Sequence, residues 1–290
     1  MTITQFEVFV TVVETGSFTK AGEKLNMTQS AVSHAIKGLE NEIGVTLLIR
    51  NRRHGLLLSD IGKRVLVHAR EILNRIRHIK QETSTTSAIN SGSLKVGSFS
   101  SASLHLLPKM ISIFHTQYPN VDITLFDGTY QEVSEWVSSR IVDIGFATMR
   151  QPELEFVPLL EDKMVVVLPE SHFLLSKDVI QIADLANEPL ILTKAGSEKL
   201  VWKMFKDANL HPNIRFKVQD GGTIMNMVKE NLGVTIGPEL AIPKKQAGIE
   251  MRTVNPLMWR QIGLTCPSIE EASPAVRAFI DLACQLYHLE

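Results

Sequence analysis

The sequence feature that most restricts the fold of this chain is a pair of short helical patterns only three residues apart. Residues 18–25 and 29–43 each place apolar side chains on one helical face, and the segment "NMT" between them allows only a tight turn. Thr28 can cap the second helix, while Gly16 and Ser17 can end the preceding helix and cap the first. The pattern predicts a helix-turn-helix.

The second of these helices has an unusual outer face. Its inner face is an ordinary apolar stripe of Val32, Ile36, Leu39 and Ile43. A solvated outer face usually carries Glu and Lys pairs. Here the outer face instead carries Gln29, Ser30, Ser33, His34 and Lys37. Short polar side chains let a helix enter the roughly 12 Å wide major groove of DNA, with the Gln and His reaching base edges and the two Ser permitting close approach.

The residues after this helix are basic. Two short apolar runs flank "RNRRHG", which predicts a hairpin with Arg50, Arg52 and Arg53 near its tip, where they would pair with phosphates as Lys37 would. Residues 1–90 hold twelve Lys and Arg against eight Asp and Glu, although the whole chain has a net charge of −1. Two short helices and a turn also occur in many enzymes, but a basic hairpin beside them favours a winged DNA reader.

A long helix is predicted after the hairpin. From Ser59 apolar residues recur at alternating steps of four and three, the period of a coiled-coil seam, and such a helix needs a partner. The predicted dimerisation residues are Val65, Ala69, Ile72, Ile76 and Ile79. The segment "ETSTTSAINSGS" then breaks all periodicity, which indicates a hinge.

Beyond the hinge the pattern changes to strands that alternate with helices. This order predicts parallel βαβ units in two lobes with a cleft between them. The first lobe is predicted at residues 91–161 plus 267–290 and the second at 162–266, with the chain returning toward the first lobe near "IGLTC".

Hydroxyl side chains follow several of the predicted strand ends. In "GSFSSAS" they stand beside free backbone N–H groups at the start of a helix, which favours an anion such as a small carboxylate. The candidate effector-binding residues are Ser98, Ser100, Ser101, Thr129, Thr148, Thr193, Ser197 and Thr223. Each could instead be a helix cap, but their shared position after strand ends suggests one cleft.

Composition and the absence of motifs limit the other functions. With 44% hydrophobic and 21% charged residues the chain is typical of a soluble globular protein. It has no membrane-length apolar run and no secretory signal, so we expect a cytoplasmic protein without a membrane partner. Cys266 and Cys284 lack metal-ligand spacing. An enzyme using the two-lobed cleft and a nonspecific architectural DNA binder are the alternatives, although no catalytic motif is found.

The N-terminal residues also match a known family. The stretch "FVTVVETGSFTKAGEKLNMTQSAVSHAIKGLENEIGVTLLIR" followed by "LLSDIGK" resembles the winged helix-turn-helix of LysR-type transcriptional regulators, and the resemblance extends to about residue 288. The matching positions are Gly16-Ser17-Phe18, Ala21, Leu25, Gln29-Ser30, Val32-Ser33, Ile36, Leu39-Glu40, Gly44, Leu47 and Arg50. The sequence departs from the family at Gly22, where Ala is usual, at Ser30, where Pro is common, at His34, where Arg is common, and at Leu48, where Phe is usual.

The resemblance implies an α/β protein with an all-α, winged N-terminal domain. A winged helix-turn-helix is expected at 1–58, a linker helix and hinge at 59–90, and a two-lobed effector domain similar to periplasmic binding proteins at 91–290. It further implies an inverted repeat in double-stranded DNA read by a dimer or by a tetramer of two dimers, a small-molecule effector, and RNA polymerase as a partner. The candidate DNA contacts are Ser17, Lys20, Thr28, Gln29, Ser30, Ser33, His34, Lys37, Arg50, Arg52 and Arg53. No catalytic residue, metal or other cofactor is expected.

Overall fold

The chain forms two compact units. The computed structural model describes residues 1–51, 55–83, 92–243 and 246–287, and for residues 50, 51, 55 and 80–83 it describes only the backbone. One unit comprises Met1–Ala88 with Ser139–Ile141, and the other comprises Ile89–Ser138 with Val142–Glu290.

Three helices form the first unit's framework. They are α1 (Ile3–Thr15), α2 (Phe18–Leu25) and α3 (Gln29–Ile43). The predicted caps are confirmed: Gly16 ends α1 in the left-handed region at φ 63°, while the side chains of Ser17 and Thr28 accept hydrogen bonds from the first turns of α2 and α3. Asn26, also left-handed at φ 53°, ends α2 and sharpens the turn. Local capping therefore produces the helix-turn-helix.

The apolar stripe of α3 packs into this unit's core, where Val32, Ile36 and Leu39 are buried. At the end of the helix the Glu40 carboxylate accepts hydrogen bonds from the backbone N–H groups of Leu47 and Leu48, at 2.7 and 3.1 Å. These bonds fix the start of an antiparallel hairpin of β1 (Leu48–Asn51) and β2 (Gly55–Leu58). The predicted wing is therefore present.

The long helix α4 spans Asp60–Thr83 and so begins one residue after Ser59, within the 59–90 predicted for the linker helix and hinge. Along the predicted seam, Ile72 is 39% and Ile79 59% exposed, and Ile76 is partly exposed. Ala69 is instead completely buried in the core of its own unit, and Val65 packs against the same core. The prediction that Ala69 faces a partner is therefore wrong, because its small side chain fills space within the chain itself.

The first lobe of the second unit has a mixed sheet covered by helices. Its parallel strands are β3 (Gly92–Ser98), β4 (Val121–Asp127) and β5 (Ile144–Ala147). Its helices are α5 (Ser100–His105), α6 (Leu107–Gln117), α7 (Tyr130–Ser138) and the late helix α10 (Pro274–Leu286). Phe114 and Phe279, from α6 and α10, meet with their ring centroids 5.5 Å apart in the core.

The second lobe repeats the α/β pattern. Its strands are β7 (Val179–Gln181), β8 (Leu190–Thr193), β9 (Ile214–Val218), β10 (Thr235–Pro238) and β11 (Ile249–Asn255). Its helices are α8 (Glu198–Asp207) and α9 (Gly221–Lys229). Strands β8 and β9 pair in parallel, and two apolar clusters surround them and the strands beside them.

Two strands connect the lobes. Strand β6 (Glu155–Pro169) pairs through its first part with β12 (Trp259–Cys266) and through its second part with β10 and β11. The sheet order is β4-β3-β5-β12-β6-β11-β7, with β10 also on β6. The expected two-lobed α/β architecture is thus confirmed. The predicted second boundary, at 266/267, lies too late: β12 pairs with β5, and Ile262, Leu264 and Cys266 are buried in the first lobe's core.

Candidate functional site

The outer face of α3 is available for binding. Gln29, Ser30, His34 and Lys37 are exposed and Ser33 is partly buried. Together with Phe18, Ile36, Glu40 and Leu48 these residues line an open groove. The opposite face of the same helix is buried, so the polar residues are held on a rigid support rather than on a mobile loop.

Two of the predicted DNA contacts have structural tasks. Ser17 accepts a hydrogen bond from the Lys20 N–H at 3.4 Å, and Thr28 accepts one from the Ala31 N–H at 3.2 Å. The Thr28 hydroxyl also lies 2.9 Å from the Ser30 hydroxyl, which orients the first turn of α3. The side chain of Lys20 is exposed on α2.

The predicted phosphate contacts of the wing are only partly described. Arg50 lies in β1, paired with Leu56, but the structure describes only its backbone. Arg52 and Arg53 lie outside the described residues. The roles of the three arginines remain predictions.

A cleft lies between the lobes of the second unit. Space of about 610 Å³, part of it open to solvent, is bounded by residues from both lobes. Of the predicted effector contacts, Ser100, Ser101, Thr193 and Ser197 line it. Its apolar surface includes Phe99 of the first lobe and, from the second, Ile224, Met225, Ile236 and Ile242. A pocket with one apolar side and several hydroxyls can hold a small amphipathic molecule.

The other four predicted contacts are not among the residues that line this cleft. Ser98 is 1% exposed, and its hydroxyl lies 3.4 Å from the Phe99 carbonyl. Thr148 is partly buried elsewhere in the same lobe. The hydroxyls of Thr129 and Thr223 both donate to nearby carboxylates at helix starts.

These two threonines show why helix caps resemble ligand contacts in a sequence. Thr129 donates to Glu132 through its N–H and its hydroxyl, both at 2.8 Å, and these bonds lower the pKa of the Glu132 carboxyl. Thr223 donates in the same way to Asp220, both at 2.7 Å, which lowers the pKa of Asp220. Their hydroxyls are therefore already used within the protein.

The most buried polar cluster of the cleft was not predicted. Arg260, 3% exposed, donates from Nε at 2.9 Å and from Nη2 at 2.6 Å to Oδ2 of Asp162, which is 5% exposed. Oδ1 of Asp162 accepts a hydrogen bond from the Leu240 N–H at 3.0 Å. Arg260 also donates from Nη2 to the Ser101 hydroxyl at 2.8 Å and from Nη1 to the Tyr130 hydroxyl. The buried ion pair thus has hydrogen bonds on both partners.

Tyr130 contacts residues of both lobes. Its ring centroid lies 4.6 Å from that of Phe99, and the Arg260 guanidinium carbon lies 5.7 Å from its ring centroid. Its N–H donates to the carbonyl of Ala195 in the second lobe at 3.3 Å. At Gly196, where φ is +124°, an added Cβ would lie 2.3 Å from Cγ of Tyr130, so only glycine permits this approach. Burial raises the pKa of the Tyr130 phenol, although the charge and hydrogen bond of Arg260 act to lower it.

The signal for this cluster in the sequence was weak. Arg260 and Asp162 are directly opposite each other in the β12–β6 register but 98 residues apart in the chain. A charged residue at the start of an otherwise apolar strand, as in "WRQIGLTC", is the only local hint.

Other site types receive no support within the described parts of the chain. No group of three or more potential His, Cys, Asp or Glu metal ligands occurs among the described residues. Cys266 is buried and Cys284 partly buried, both as free thiols. None of the helices in the described ranges is long and apolar enough to cross a membrane.

Comparisons with known proteins match a family model to each part of the chain. The family model "Bacterial regulatory helix-turn-helix protein, lysR family" matches residues 3–63, and "LysR substrate binding domain" matches residues 87–286. The chain is 42% identical over 294 residues to the "Uncharacterized HTH-type transcriptional regulator YvbU" of Bacillus subtilis strain 168, covering 100% of both.

Solved structures share the fold. A full-length OxyR variant from Pseudomonas aeruginosa matches with a TM-score of 0.79 and 22% identity, over 98% of this chain and 95% of that one. HinK, a LysR family transcriptional regulator from Pseudomonas aeruginosa, matches with a TM-score of 0.63 and 26% identity, over 99% of both chains.

Proposed function

The chain belongs to the LysR family of transcriptional regulators, and on that premise we propose which of its residues read DNA and which hold its effector. The observation that carries the proposal is the division of α3 into a buried apolar face and an exposed face of short polar side chains. A helix of this kind, supported by a core and followed by a hairpin, suits the major groove.

Different residues supply specificity and affinity. Gln29 and His34 contact base edges, where an amide or an imidazole can both donate and accept hydrogen bonds. Lys20, Lys37 and the predicted wing arginines contact phosphates, which adds affinity that weakens as salt concentration rises. Ser30 and Ser33 let the backbone of α3 approach the bases closely. Ser17 and Thr28 act mainly as caps that orient the two helices.

The assembly is a dimer through α4, and two dimers form a tetramer. The exposed Ile72 and Ile79 support this contact because they lie at coiled-coil spacing on a surface otherwise open to water. A two-fold assembly reads an inverted repeat in double-stranded DNA. The regulator works in the cytoplasm, where RNA polymerase is a further partner.

The effector binds in the cleft between the lobes. Ser100, Ser101, Thr193 and Ser197 support this assignment because they bring hydroxyls from both lobes to one space. The ligand can shift the regulator between two states only by the difference in its affinity for them. The protein is therefore a ligand-responsive switch rather than an enzyme or an architectural DNA binder.

Nuclease protection of the DNA upstream of the protein's own gene, measured across a salt series, tests the DNA-binding part. We expect a protected region with dyad symmetry that persists at moderate salt. An architectural binder would instead give uniform protection that disappears as salt rises. Turnover of a substrate without DNA would favour the enzyme alternative.

A further inference from the structure

Arg260 sets the hydrogen-bond polarity of two hydroxyls in the cleft. A guanidinium group has only donors, so the hydroxyls of Ser101 and Tyr130 must act as acceptors toward Arg260. Each hydroxyl keeps its own hydrogen for another acceptor. From this geometry we propose that the cleft selects small molecules that present an oxygen acceptor, such as a carboxylate or an amide carbonyl, and rejects ammonium groups. This inference rests on the proposed role of the cleft as the effector site.

Both hydrogens are available to a ligand. Ser101 is 3% exposed, and Arg260 is the only hydrogen-bond partner of its hydroxyl among the described residues. The Tyr130 hydroxyl also interacts with Ser197. If Tyr130 donates to Ser197, the Ser197 hydroxyl still has its own hydrogen, and Ser197 lines the same cleft. In either arrangement the chain of hydroxyls that begins at Arg260 ends in a donor.

Charge restricts the ligand further. Arg260 is the only formally charged residue among the described residues that line the cleft. Its charge is neutralised by the ion pair with Asp162, which is not one of the lining residues. A monoanion can therefore bind, but a neutral carbonyl should bind through the same hydroxyls. An ammonium ion has only donors, would find no carboxylate among the described residues that line the cleft, and would lie close to a guanidinium group. Arg260 is a positioning residue in this scheme, because it acts through Tyr130 and Ser101.

The rest of the cleft surface favours an apolar ligand body. Its lining includes the apolar side chains of Ile224 and Met225 on α9 and of Ile242, and all three residues are buried in the second lobe. The selected class is thus a small apolar body that ends in an oxygen acceptor. Acetate and acetamide are the smallest probes of that acceptor group, and they avoid assumptions about the shape of the body.

Methyl NMR of the full-length protein with labelled methionines tests the proposal, because Met225 lies in the cleft. Acetate, acetamide and methylammonium are titrated at constant ionic strength. We expect acetate and acetamide to shift the Met225 resonance saturably, with half-saturation in the millimolar range suited to so few atoms. Methylammonium should cause no saturable shift.

Variants assign the effect to the hydroxyls. Tyr130→Phe keeps the ring packed on Phe99, and Ser101→Ala removes one hydroxyl oxygen. Each variant should bind acetate and acetamide at least about fivefold more weakly, which is the value of one hydrogen bond. Tyr287→Phe is the matched control, because its hydroxyl donates at 3.2 Å to the Leu106 carbonyl and is not part of the cleft. It should leave both affinities unchanged.

Each alternative result has a definite meaning. Saturable binding of methylammonium, or unchanged acetate affinity in Tyr130→Phe, overturns the acceptor preference while leaving a ligand cleft in place. Saturation by none of the three probes overturns the ligand class altogether. Operator protection, measured separately, then shows whether the DNA-binding proposal survives.

Discussion

Replacement of Asp162 by Asn tests how far the effector unit depends on its buried ion pair. The carboxylate accepts two hydrogen bonds from Arg260 and one from the Leu240 N–H, and both charged partners are almost completely buried. Loss of one charge leaves the guanidinium without a counter-ion, which typically costs about 3–5 kcal/mol. Because Asn keeps one oxygen acceptor, we expect a value near the lower end, about 3 kcal/mol.

The chain offers a selective assay for this change. All three tryptophans, Trp136, Trp202 and Trp259, belong to the second unit, so their fluorescence reports its unfolding. For a unit of this size 1 kcal/mol shifts Tm by about 2–4 °C, which predicts a loss of about 6–12 °C for Asp162→Asn. Urea unfolding of the same variant should give a lower midpoint at unchanged slope.

Two further variants separate charge from packing. Glu239→Gln removes a carboxylate 3.4 Å from Lys163, and because these side chains are 46% and 32% exposed, the cost should stay below about 1 kcal/mol. The double variant Asp162→Leu with Arg260→Met should recover most of the lost stability, because no buried charge remains. An Asp162→Asn protein as stable as Glu239→Gln would refute the reasoning.

Three other predictions concern DNA reading, assembly and acid stability. His34→Ala should relax base preference at one position per half-site, by about 1–3 kcal/mol; an unchanged preference in a selection of bound fragments would remove His34 from the reading face. Ile72→Asp should leave a poorly dimerising protein, and a retained dimer mass in sedimentation would reject the α4 seam. Because hydrogen bonds from Thr223 lower the pKa of Asp220 below 3.8, this cap stabilises fully above its unfolded pKa and is lost as pH falls through its folded pKa. Asp220→Ser keeps a cap that does not titrate, so acid unfolding should show a smaller pH dependence; an identical profile would contradict this assignment.

The helix-turn-helix was predictable because its signals are local. Gly16 ends α1 through its own left-handed φ, while Ser17 and Thr28 begin helices through bonds to residues three positions away. Such local features depend little on the rest of the fold. The same local chemistry misled the effector-site prediction. Thr129 and Thr223 follow strand ends, as Ser100 does, but their hydroxyls bind their own helix starts. A sequence pattern does not distinguish these two uses of a hydroxyl.

Contacts that depend on register were not predictable. Whether Arg260 meets Asp162 depends on how β12 aligns with β6, and a shift of one residue would turn the Arg to the other face of the sheet. The error at the lobe boundary has the same origin. The apolar run of β12 suits either lobe, and only its pairing with β5 assigns it to the first.

The position of the ion pair relates ligand chemistry to lobe movement. The two lobes are joined by β6 and by the segment that leads from β11 into β12. Asp162 in β6 and Arg260 in β12 lie opposite each other. Separation of Arg260 from Asp162 would leave a buried charge without its counter-ion, so we expect this contact to persist when the angle between the lobes changes. The same Arg260 orients the hydroxyls of Ser101 and Tyr130, and Tyr130 also bonds to Ala195 of the other lobe. An acceptor ligand that takes hydrogen bonds from those hydroxyls would therefore act directly on the contacts that hold the lobes at their present angle.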